Sequence, residues 1–247
     1  MYLKQIVRMK SPERSDQFSQ QIESMFSSIA PRYDILNRIL SFGQDIYWRK
    51  KATHALAPLK KGKYLDLATG TADLALEIVR RKACKVYGVD FCLPMLSLAT
   101  NKIQQKNRSD DINLIAGSGE SLPFADNYFD GTSIAFGLRN FSSPEKGLKE
   151  MVRTLKPAGR MVILEFSMPE SVILKWIYKF YFDIILPIFG RMVSKHDSAY
   201  NYLPESVSLF PQRRELALMI ETAGFKQVNF KDLTFGIVTL YTGVKNA

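Results

Sequence analysis

The sequence has little cysteine and no long uninterrupted apolar run. Cys84 and Cys92 are its two cysteines, too few for a disulfide scaffold and without the spacing of metal ligands. The most apolar stretch, residues 176–190, is interrupted by Lys179 and Asp183 and broken by Pro187. Because about 20 largely apolar residues are needed to span a bilayer, we predict no transmembrane helix there. The cysteine usage indicates a reducing cytosol.

The first residues lack the apolar core and the small-residue cleavage pattern of a signal peptide, so we expect a cytoplasmic protein. The net charge is +10, and such a surface can serve nucleic acid, anionic lipid or acidic ligands. No tail of like charge stands out, so charge alone does not choose among these partners. With 247 residues and 46% hydrophobic content, the chain fits one domain with a sizeable core.

The order of the predicted elements indicates an α/β fold. Helical spacing of apolar residues predicts helices in residues 1–60, which we interpret as an N-terminal helical cap within the same domain as residues 61–247. Strands then alternate with helices, which implies right-handed crossovers and a largely parallel, doubly wound sheet. The predicted strands are 64–68, 85–90, 112–116, 129–135 and 160–166, and the predicted helices between and after them are 72–81, 94–105, 144–155 and 212–223.

Three features break this alternation. The helix after the third strand is missing or short. Near the C-terminus, "FKQVNFKDL" and "GIVTLYTGVK" follow one another without a helix between them, which predicts an antiparallel hairpin at the sheet edge. Residues 167–210 form an insertion rich in aromatic residues, which is too apolar to be a linker.

The turn "DLATGTADL" after the first strand is the first candidate ligand site, because open α/β sheets bind ligands at the carboxyl ends of their strands. Gly70 can adopt positive φ, and Ala68 and Ala72 are small enough for a close backbone approach. Asp90 ends the second strand twenty residues after Gly70, where a carboxylate can accept hydrogen bonds from ribose hydroxyls. The alternative interpretation is a plain tight turn and a helix N-cap.

The glycine fingerprint G-x-G-x-x-G is absent from this turn, which disfavours a dinucleotide with its pyrophosphate. A ligand with an adenosine group and no phosphate fits better, and S-adenosylmethionine is such a ligand. Asp66, just before the loop, could attract its amino group. In "AGSGESLPFADNYFD" after the third strand, the hydroxyl of Ser118 or the N–H of Gly119 could lie near the adenine edge. An ordinary surface turn is the alternative there.

Several longer blocks carry a family resemblance: "APRYDILNRILSFGQDIYW", "YLDLATGTADLA", "ESLPFADNYFD", "IAFGLRNF", "MVRTLKPAGRMVILEFSMP", "YNYLPESVSLFP" and "GIVTLYTGVK". On them the chain resembles class I S-adenosylmethionine-dependent methyltransferases, and more narrowly the UbiE/MenG group of C-methyltransferases of menaquinone and ubiquinone biosynthesis. The resemblance covers about residues 29–245. It implies a Rossmann-like doubly wound sheet with an antiparallel last strand, and it places Thr71, Asp90, Ser118 and Gly119 at the cofactor.

The chain also departs from the family pattern. Ala135 stands where the family usually has Ser, which removes a side-chain contact and leaves a backbone one. The other departures are Leu36 for Met, Asp45 for His, Ala158 for Gly and Tyr241 for His. Asp45 matters most if the usual His has a chemical role, since a carboxylate titrates far below an imidazole.

The resemblance implies methyl transfer to a ring carbon of demethylmenaquinol, with the 2-polyprenyl-6-methoxy-1,4-benzoquinol precursor of ubiquinone as the alternative acceptor. Arg139 follows the fourth strand and could stabilise a phenolate; its alternative role is a salt bridge to a loop carboxylate. Tyr33 and Asn140 are further catalytic candidates, with a helix-capping network as their alternative. His196 and Tyr200 are additional candidate acid–base groups.

The prenyl tail of such a substrate requires an apolar groove or the bilayer itself. The insertion offers aromatic and aliphatic side chains beside lysines and an arginine, so we expect peripheral contact with membrane lipid at the inner face of the cytoplasmic membrane. The sequence leaves a homo-oligomer open and indicates neither a metal site nor a nucleic-acid partner. The competing classes are an RNA methyltransferase, disfavoured by the lack of an N-P-P-Y-like motif, a non-catalytic lipid-binding protein and a nicotinamide dehydrogenase.

Overall fold

The computed structural model describes residues 12–171, 176 and 198–246, with side chains described from residue 17 and, after the gap, from residue 202. The N-terminal part is helical, as the apolar spacing predicts. Helix α1 (Pro12–Ile29) leads through a 3₁₀ turn to α2 (Tyr33–Leu40) and α3 (Gln44–Leu56). Across the described ranges, no helix has the length and apolarity needed to cross a membrane.

The described residues form one seven-stranded sheet in the order β3-β2-β1-β4-β5-β7-β6. Its first five strands pair in parallel, β7 is antiparallel to both neighbours, and β6 closes the edge as the predicted hairpin. The strands are β1 (Lys63–Leu67), β2 (Lys85–Asp90), β3 (Ile112–Ala116), β4 (Phe129–Ala135), β5 (Leu155–Phe166), β6 (Phe225–Leu233) and β7 (Val238–Lys245).

Helices cover both faces of the sheet because alternate strand residues are apolar on each side. The remaining helices are α4 (Asp73–Arg81), α5 (Leu93–Gln105), α6 (Pro144–Thr154), α7 (Ser198–Leu209) and α8 (Arg214–Ala223). Helices α3, α4 and α5 pack on the face that carries Tyr64 and Val86. Helices α6 and α8 pack on the face that carries Leu65 and Ile163. The cap is tied to the last hairpin by the Trp48 indole, which donates to Thr234 Oγ1 at 2.8 Å.

The predicted elements are confirmed except at the fifth strand. No helix lies between β3 and β4 in the described sequence, and the expected hairpin is present. The prediction that a helix reaches residue 155 and the strand begins at 160 was wrong, since α6 ends at Thr154 and β5 begins at Leu155. Leu155 pairs with Phe129 before a register shift in the β4–β5 ladder. The strand therefore continues through a bulge at "KPAG", a sequence that is typical of a loop.

Strands β1 and β4 are neighbours in the sheet. From β1 the following strands β2 and β3 are added on one side, and from β4 the next strand β5 is added on the other side. This switch point opens a crevice at the carboxyl ends of the two strands. The loops that follow them approach closely, because a Cβ on Gly137 would lie 2.4 Å from the Cβ of Ala68. Only glycine fits at position 137.

Candidate active site

The loop after β1 has an alternating backbone conformation. Ala68, Gly70 and Ala72 all have left-handed φ angles, of 47°, 56° and 64°. A left-handed residue with a Cβ costs roughly 1–2 kcal/mol, so the two alanines hold strain in this loop. A Cβ on Gly70 would meet nothing within 4 Å. Glycine therefore suits position 70 because of its φ, as predicted, and the space beside it is open.

Asp90 connects this loop to the start of α5. One carboxylate oxygen accepts the Gly70 N–H at 2.8 Å and the other accepts the Cys92 N–H at 2.9 Å. Burial raises the pKa of Asp90 above its ordinary value, although the backbone N–H donors oppose the shift. A carboxylate has about four lone-pair sites, so acceptor capacity remains for a ligand hydroxyl beside these backbone donors. The structure brings Asp90 and Gly70 together, as their spacing predicts.

Asp66 is more deeply enclosed than the sequence suggests. It lies within β1, where its carboxylate accepts hydrogen bonds from Thr69 Oγ1 at 2.7 Å and Ser133 Oγ at 2.8 Å. Burial raises the pKa of Asp66 to about 6, and the two hydroxyl hydrogen bonds act against that shift. In this structure the side chain joins β1 to β4, while its contact with a cofactor amino group stays a prediction.

Thr71 forms the contact between the loop and the cap. Its hydroxyl donates to Asp34 Oδ1 at 2.6 Å and accepts from Lys102 Nζ at 3.0 Å. Lys102 also forms ion pairs with Asp34 and with Asp73, the latter at 2.8 Å. The cap therefore lies against the candidate cofactor loop. Lys102 was missed in the sequence, because nothing local distinguishes it from other helical lysines.

Arg139 lies in the 3₁₀ turn after β4 and is buried. Its Nη1 lies 2.5 Å from Glu165 Oε1 and donates to the Phe136 carbonyl at 2.6 Å. Burial lowers the pKa of Arg139, but the Glu165 charge and hydrogen bond outweigh it, so the net pKa is raised and the guanidinium stays charged. Its Nε is buried and has no hydrogen-bond partner among the described residues. The alternative role of Arg139, a salt bridge, is present, but its partner is in a strand.

Two tyrosines and an asparagine lie near this guanidinium. The Tyr202 hydroxyl donates to Asn140 Oδ1 at 2.9 Å, and burial raises the pKa of Tyr202 to about 12. Burial also raises the pKa of Tyr33, a group that feels the charges of both Arg139 and Asp90. Tyr33 therefore lies in the field of both the loop residues and the arginine. Tyr202 was missed in the sequence, where Tyr200 was the candidate.

The loop after β3 is shaped by an aromatic ring. Ser118 is exposed, and its hydroxyl accepts the Glu120 N–H at 3.1 Å. A Cβ on Gly119 would lie 2.5 Å from Cζ of Phe141, and a Cβ on Gly147 would lie 2.4 Å from its Cε2. The Phe141 ring therefore fills the space between two glycines. This packing explains Gly119 without a ligand, so its contact with the adenine edge stays a prediction.

Asp45, the departure from the usual His, has a charge-pairing role. Its buried carboxylate lies 2.6 Å from Arg49 Nη1 and 3.2 Å from Arg38 Nη1, and it accepts from Ser41 Oγ at 3.1 Å. A carboxylate at this position forms ion pairs with two arginines of the cap. Among the described residues no group of three or more His, Cys, Asp or Glu is arranged to hold a metal ion.

Some predicted residues lie outside the described part of the chain. These are His196, the side chain of Tyr200, and most of the aromatic insertion with its basic neighbours, namely Lys175, Tyr178, Lys179, Phe180, Tyr181, Phe182, Ile184, Ile185, Ile188, Phe189, Arg191 and Lys195. Trp176 is described and is exposed.

Comparisons with known proteins agree with this geometry. The ubiE/COQ5 methyltransferase family matches residues 14–245. The ubiquinone/menaquinone biosynthesis C-methyltransferase UbiE of Geotalea daltonii is 46% identical over 228 residues, which cover 92% of this chain and 97% of that protein. The demethylmenaquinone methyltransferase of Bacteroides fragilis is 42% identical over 228 residues, covering 92% and 93%.

A solved SAM-dependent methyltransferase from Aquifex aeolicus superposes with a TM-score of 0.58 at 18% identity, covering 79% of this chain and 88% of that one. At that identity the likeness concerns the fold, which is the expected class I methyltransferase fold. The family match extends over nearly the whole chain and includes the cap, both loops and the turn with Arg139. The chain therefore belongs to the ubiE/COQ5 methyltransferase family.

Proposed function

We propose that the protein transfers a methyl group from S-adenosylmethionine to a ring carbon of demethylmenaquinol, giving menaquinol, in menaquinone biosynthesis. Family membership and relatives named demethylmenaquinone methyltransferase support this assignment. The observation that carries it is the buried, charged Arg139, whose Nε lacks an acceptor in the described residues. A buried donor without a partner costs roughly 1–3 kcal/mol, so an incoming oxygen acceptor stabilises this site.

The residues at the crevice fit S-adenosylmethionine. The space beside Gly70 is open, and the buried Asp90 carboxylate retains acceptor capacity. No glycine cradle for a pyrophosphate is present in this loop. Bound S-adenosylmethionine supplies a methyl group activated by a sulfonium charge. The residues that we propose to hold it are Gly70, Thr71, Asp90, Ser118, Gly119 and Asp66.

Arg139 is the residue that we assign to activation of the acceptor ring. A fixed cation beside a phenolic hydroxyl lowers the pKa of that hydroxyl and stabilises the phenolate. An ionised oxygen donates electron density into the ring, so its neighbouring carbon becomes the nucleophile. Glu165 accepts one hydrogen bond from Arg139 Nη1, which holds the guanidinium, and one from the Arg139 backbone N–H, which holds the turn.

Tyr33 and Asn140 are assigned to orienting the ring. Asn140 Oδ1 accepts from the Tyr202 hydroxyl and Nδ2 donates to the Phe136 carbonyl at 3.4 Å, so the second N–H of the amide remains to donate to a ring oxygen. The raised pKa of Tyr33, caused mainly by burial, keeps its hydroxyl protonated and able to donate. Methyl transfer is an in-line displacement, and holding the acceptor carbon in line with the methyl group supplies much of its rate.

The substrate carries a prenyl tail. We propose that the protein acts in the cytoplasm at the inner face of the membrane, and that residues 1–60 form a cap within the same domain as residues 61–247. The hydrogen bond between Asp34 of the cap and Thr71 of the loop supports a shared domain. The ubiquinone precursor is the second candidate acceptor, because other relatives are named ubiquinone/menaquinone C-methyltransferases.

The decisive experiment measures transfer of a labelled methyl group from S-adenosylmethionine to two quinols offered separately. One is demethylmenaquinol and the other is the 2-polyprenyl-6-methoxy-1,4-benzoquinol precursor, both with short prenyl tails. We expect product from demethylmenaquinol. Product from the benzoquinol alone would favour the second candidate, and product from neither would overturn both. Cofactor binding, measured by calorimetry without a quinol, separates a failed acceptor from a misfolded enzyme.

A further inference from the structure

Helices α2 and α3 of the cap carry three exposed isoleucines. Ile35 and Ile39 are 62% and 49% exposed and lie one turn apart, so they share one face of α2. Ile46, in the first turn of α3, is 41% exposed. Single exposed aliphatic residues are ordinary, but a row of them rimmed by charge marks an interaction surface.

A basic cleft adjoins this row. It has a volume of about 350 Å³, and its lining includes Ile46 of α3 and Arg38 of α2. Arg38 lies three residues after Ile35, on the same face of α2, and next to Ile39, so the cleft adjoins both helices. Five cationic side chains and two carboxylates line it. The cations are Arg38, Arg49, Arg80, Lys106 and Arg108.

Three of these cations are available to further anions, whereas Arg38 and Arg49 pair with the buried Asp45. Arg80 pairs with Glu77 and Arg108 with Asp111, but their side chains are well exposed, and exposed ion pairs are worth little. Lys106 is also exposed. A phosphate group can therefore bind these cations without a large desolvation cost.

We propose that this α2–α3 face, Ile35, Ile39 and Ile46 with the adjoining basic cleft, docks on the surface of an anionic phospholipid bilayer. The isoleucines enter the boundary between headgroups and acyl chains, and the cleft cations bind lipid phosphates. The row of aliphatic side chains beside the cations fits a lipid surface better than a purely polar ligand.

The inner side of α2 gives this docking a consequence for catalysis, which rests on the proposed function. Asp34 contacts the loop at Thr71, and Tyr33 lies in the field of Asp90 and Arg139. One short helix thus has the candidate site on one side and the bilayer on the other. A prenylated quinol can present its ring to the site while its tail stays in the membrane.

Vesicle flotation of the full-length protein tests the proposal. We expect binding to phosphatidylcholine vesicles with about 30 mol% phosphatidylglycerol, and weak binding to pure phosphatidylcholine. The variant Ile39→Asn/Ile46→Asn should reduce binding at least about fivefold, and so should Arg80→Glu/Arg108→Glu. Leu218→Asn, an equally exposed leucine on α8 at 46% exposure, and Lys226→Glu on β6 are the matched controls and should bind like the wild type.

Equal binding by both test variants and the controls would overturn the proposal, as would no binding to either vesicle. A loss of dimerisation in the isoleucine variant, seen by ultracentrifugation without a change in flotation, would assign the face to self-association instead. Methyl transfer to a short-tailed quinol without vesicles should be unaffected by the test variants. Failure of that transfer in the wild type would refute the proposed function while leaving the flotation result intact.

Discussion

Arg139 and Glu165 form a buried ion pair, with Nη1 and Oε1 2.5 Å apart and side chains 5% and 2% exposed. The pair joins the turn after β4 to the end of β5, next to the switch point. Glu165 also accepts the Arg139 backbone N–H at 3.3 Å, and Arg139 stacks over the Phe166 ring at 5.3 Å. The carboxylate therefore fixes both the backbone and the side chain of the proposed catalytic arginine.

Replacing Glu165 with Gln should lower the free energy of unfolding by about 3–5 kcal/mol, because the change leaves a buried guanidinium without its counter-charge. Urea denaturation measures this loss. Glu221→Gln is the matched control, since Glu221 forms an exposed pair with Arg214, and we expect a change within about 0.5 kcal/mol. Equal stability of the two variants would contradict a structural role for the buried pair.

Arg139→Lys should lower kcat about 100-fold with cofactor affinity nearly unchanged. A lysine keeps the charge but cannot bind Glu165 and the Phe136 carbonyl while offering a separate Nε–H donor. Single-turnover transfer and calorimetry of S-adenosylmethionine binding measure the two effects. Arg214→Lys on the surface of α8 should change neither. A lost cofactor affinity with a normal rate would reverse the assigned role.

Asp90→Asn should weaken S-adenosylmethionine binding about 10- to 100-fold. An amide places an NH₂ donor against either the Gly70 N–H or the Cys92 N–H, both of which the carboxylate accepts. The loop then loses an anchor as well as an acceptor for the ligand. Calorimetry of S-adenosylmethionine binding measures this change, with the exposed Asp110→Asn as the control. Unchanged affinity would show that Asp90 only caps the backbone.

Asp66 should make stability depend on pH. Its folded pKa of about 6 lies above that of the unfolded chain, so the folded state binds the proton more tightly. Its contribution is therefore greatest below the unfolded pKa and is lost as pH rises through 6. Relative to Asp66→Asn, the wild type should lose about 2 kcal/mol between about pH 4.5 and 7.5. Urea denaturation across this range measures the effect, with Asp110→Asn as the control. Parallel profiles of stability against pH for the wild type and Asp66→Asn would contradict the prediction.

Ala158→Gly should raise the free energy of unfolding by about 0.5–1 kcal/mol. Ala158 has a φ of 60° and follows Pro157 in the bulge of β5, where a left-handed φ favours glycine. Relief of the Cβ strain exceeds the entropy that glycine adds to the unfolded chain. Ala55→Gly, within helix α3, is the opposite control and should destabilise by a similar amount. A destabilised Ala158→Gly would contradict strain at this bulge.

Much of the framework could be predicted because its signals are local. Apolar runs bounded by turn residues located the five parallel strands, and Gly70 with Asp90 marked the crevice in the expected way. The hairpin followed from two adjacent strand patterns without a helix between them. The start of β5 could not be found, since Pro157 in "KPAG" reads as a loop and only pairing with β4 keeps the strand continuous.

The polar partners in the site were not predictable for a different reason. Glu165 pairs with a residue 26 positions away, and Lys102 reaches Thr71 across 31 positions. Such contacts depend on how strands and helices are placed side by side, and a single sequence contains no local sign of them. The left-handed φ of Ala68 and Ala72 is likewise imposed by the loop, since alanine has no preference for it.

The Phe141 ring, held between Gly119 and Gly147, couples two distant positions. Gly147 lies within α6, where a glycine costs about 1 kcal/mol relative to alanine, so the helix is weakened to admit the ring. Any larger residue at 147 would push the ring toward Gly119 and displace the proposed adenine-binding loop. A larger residue at position 147 would thus lower the affinity for the cofactor, although this position contacts no ligand.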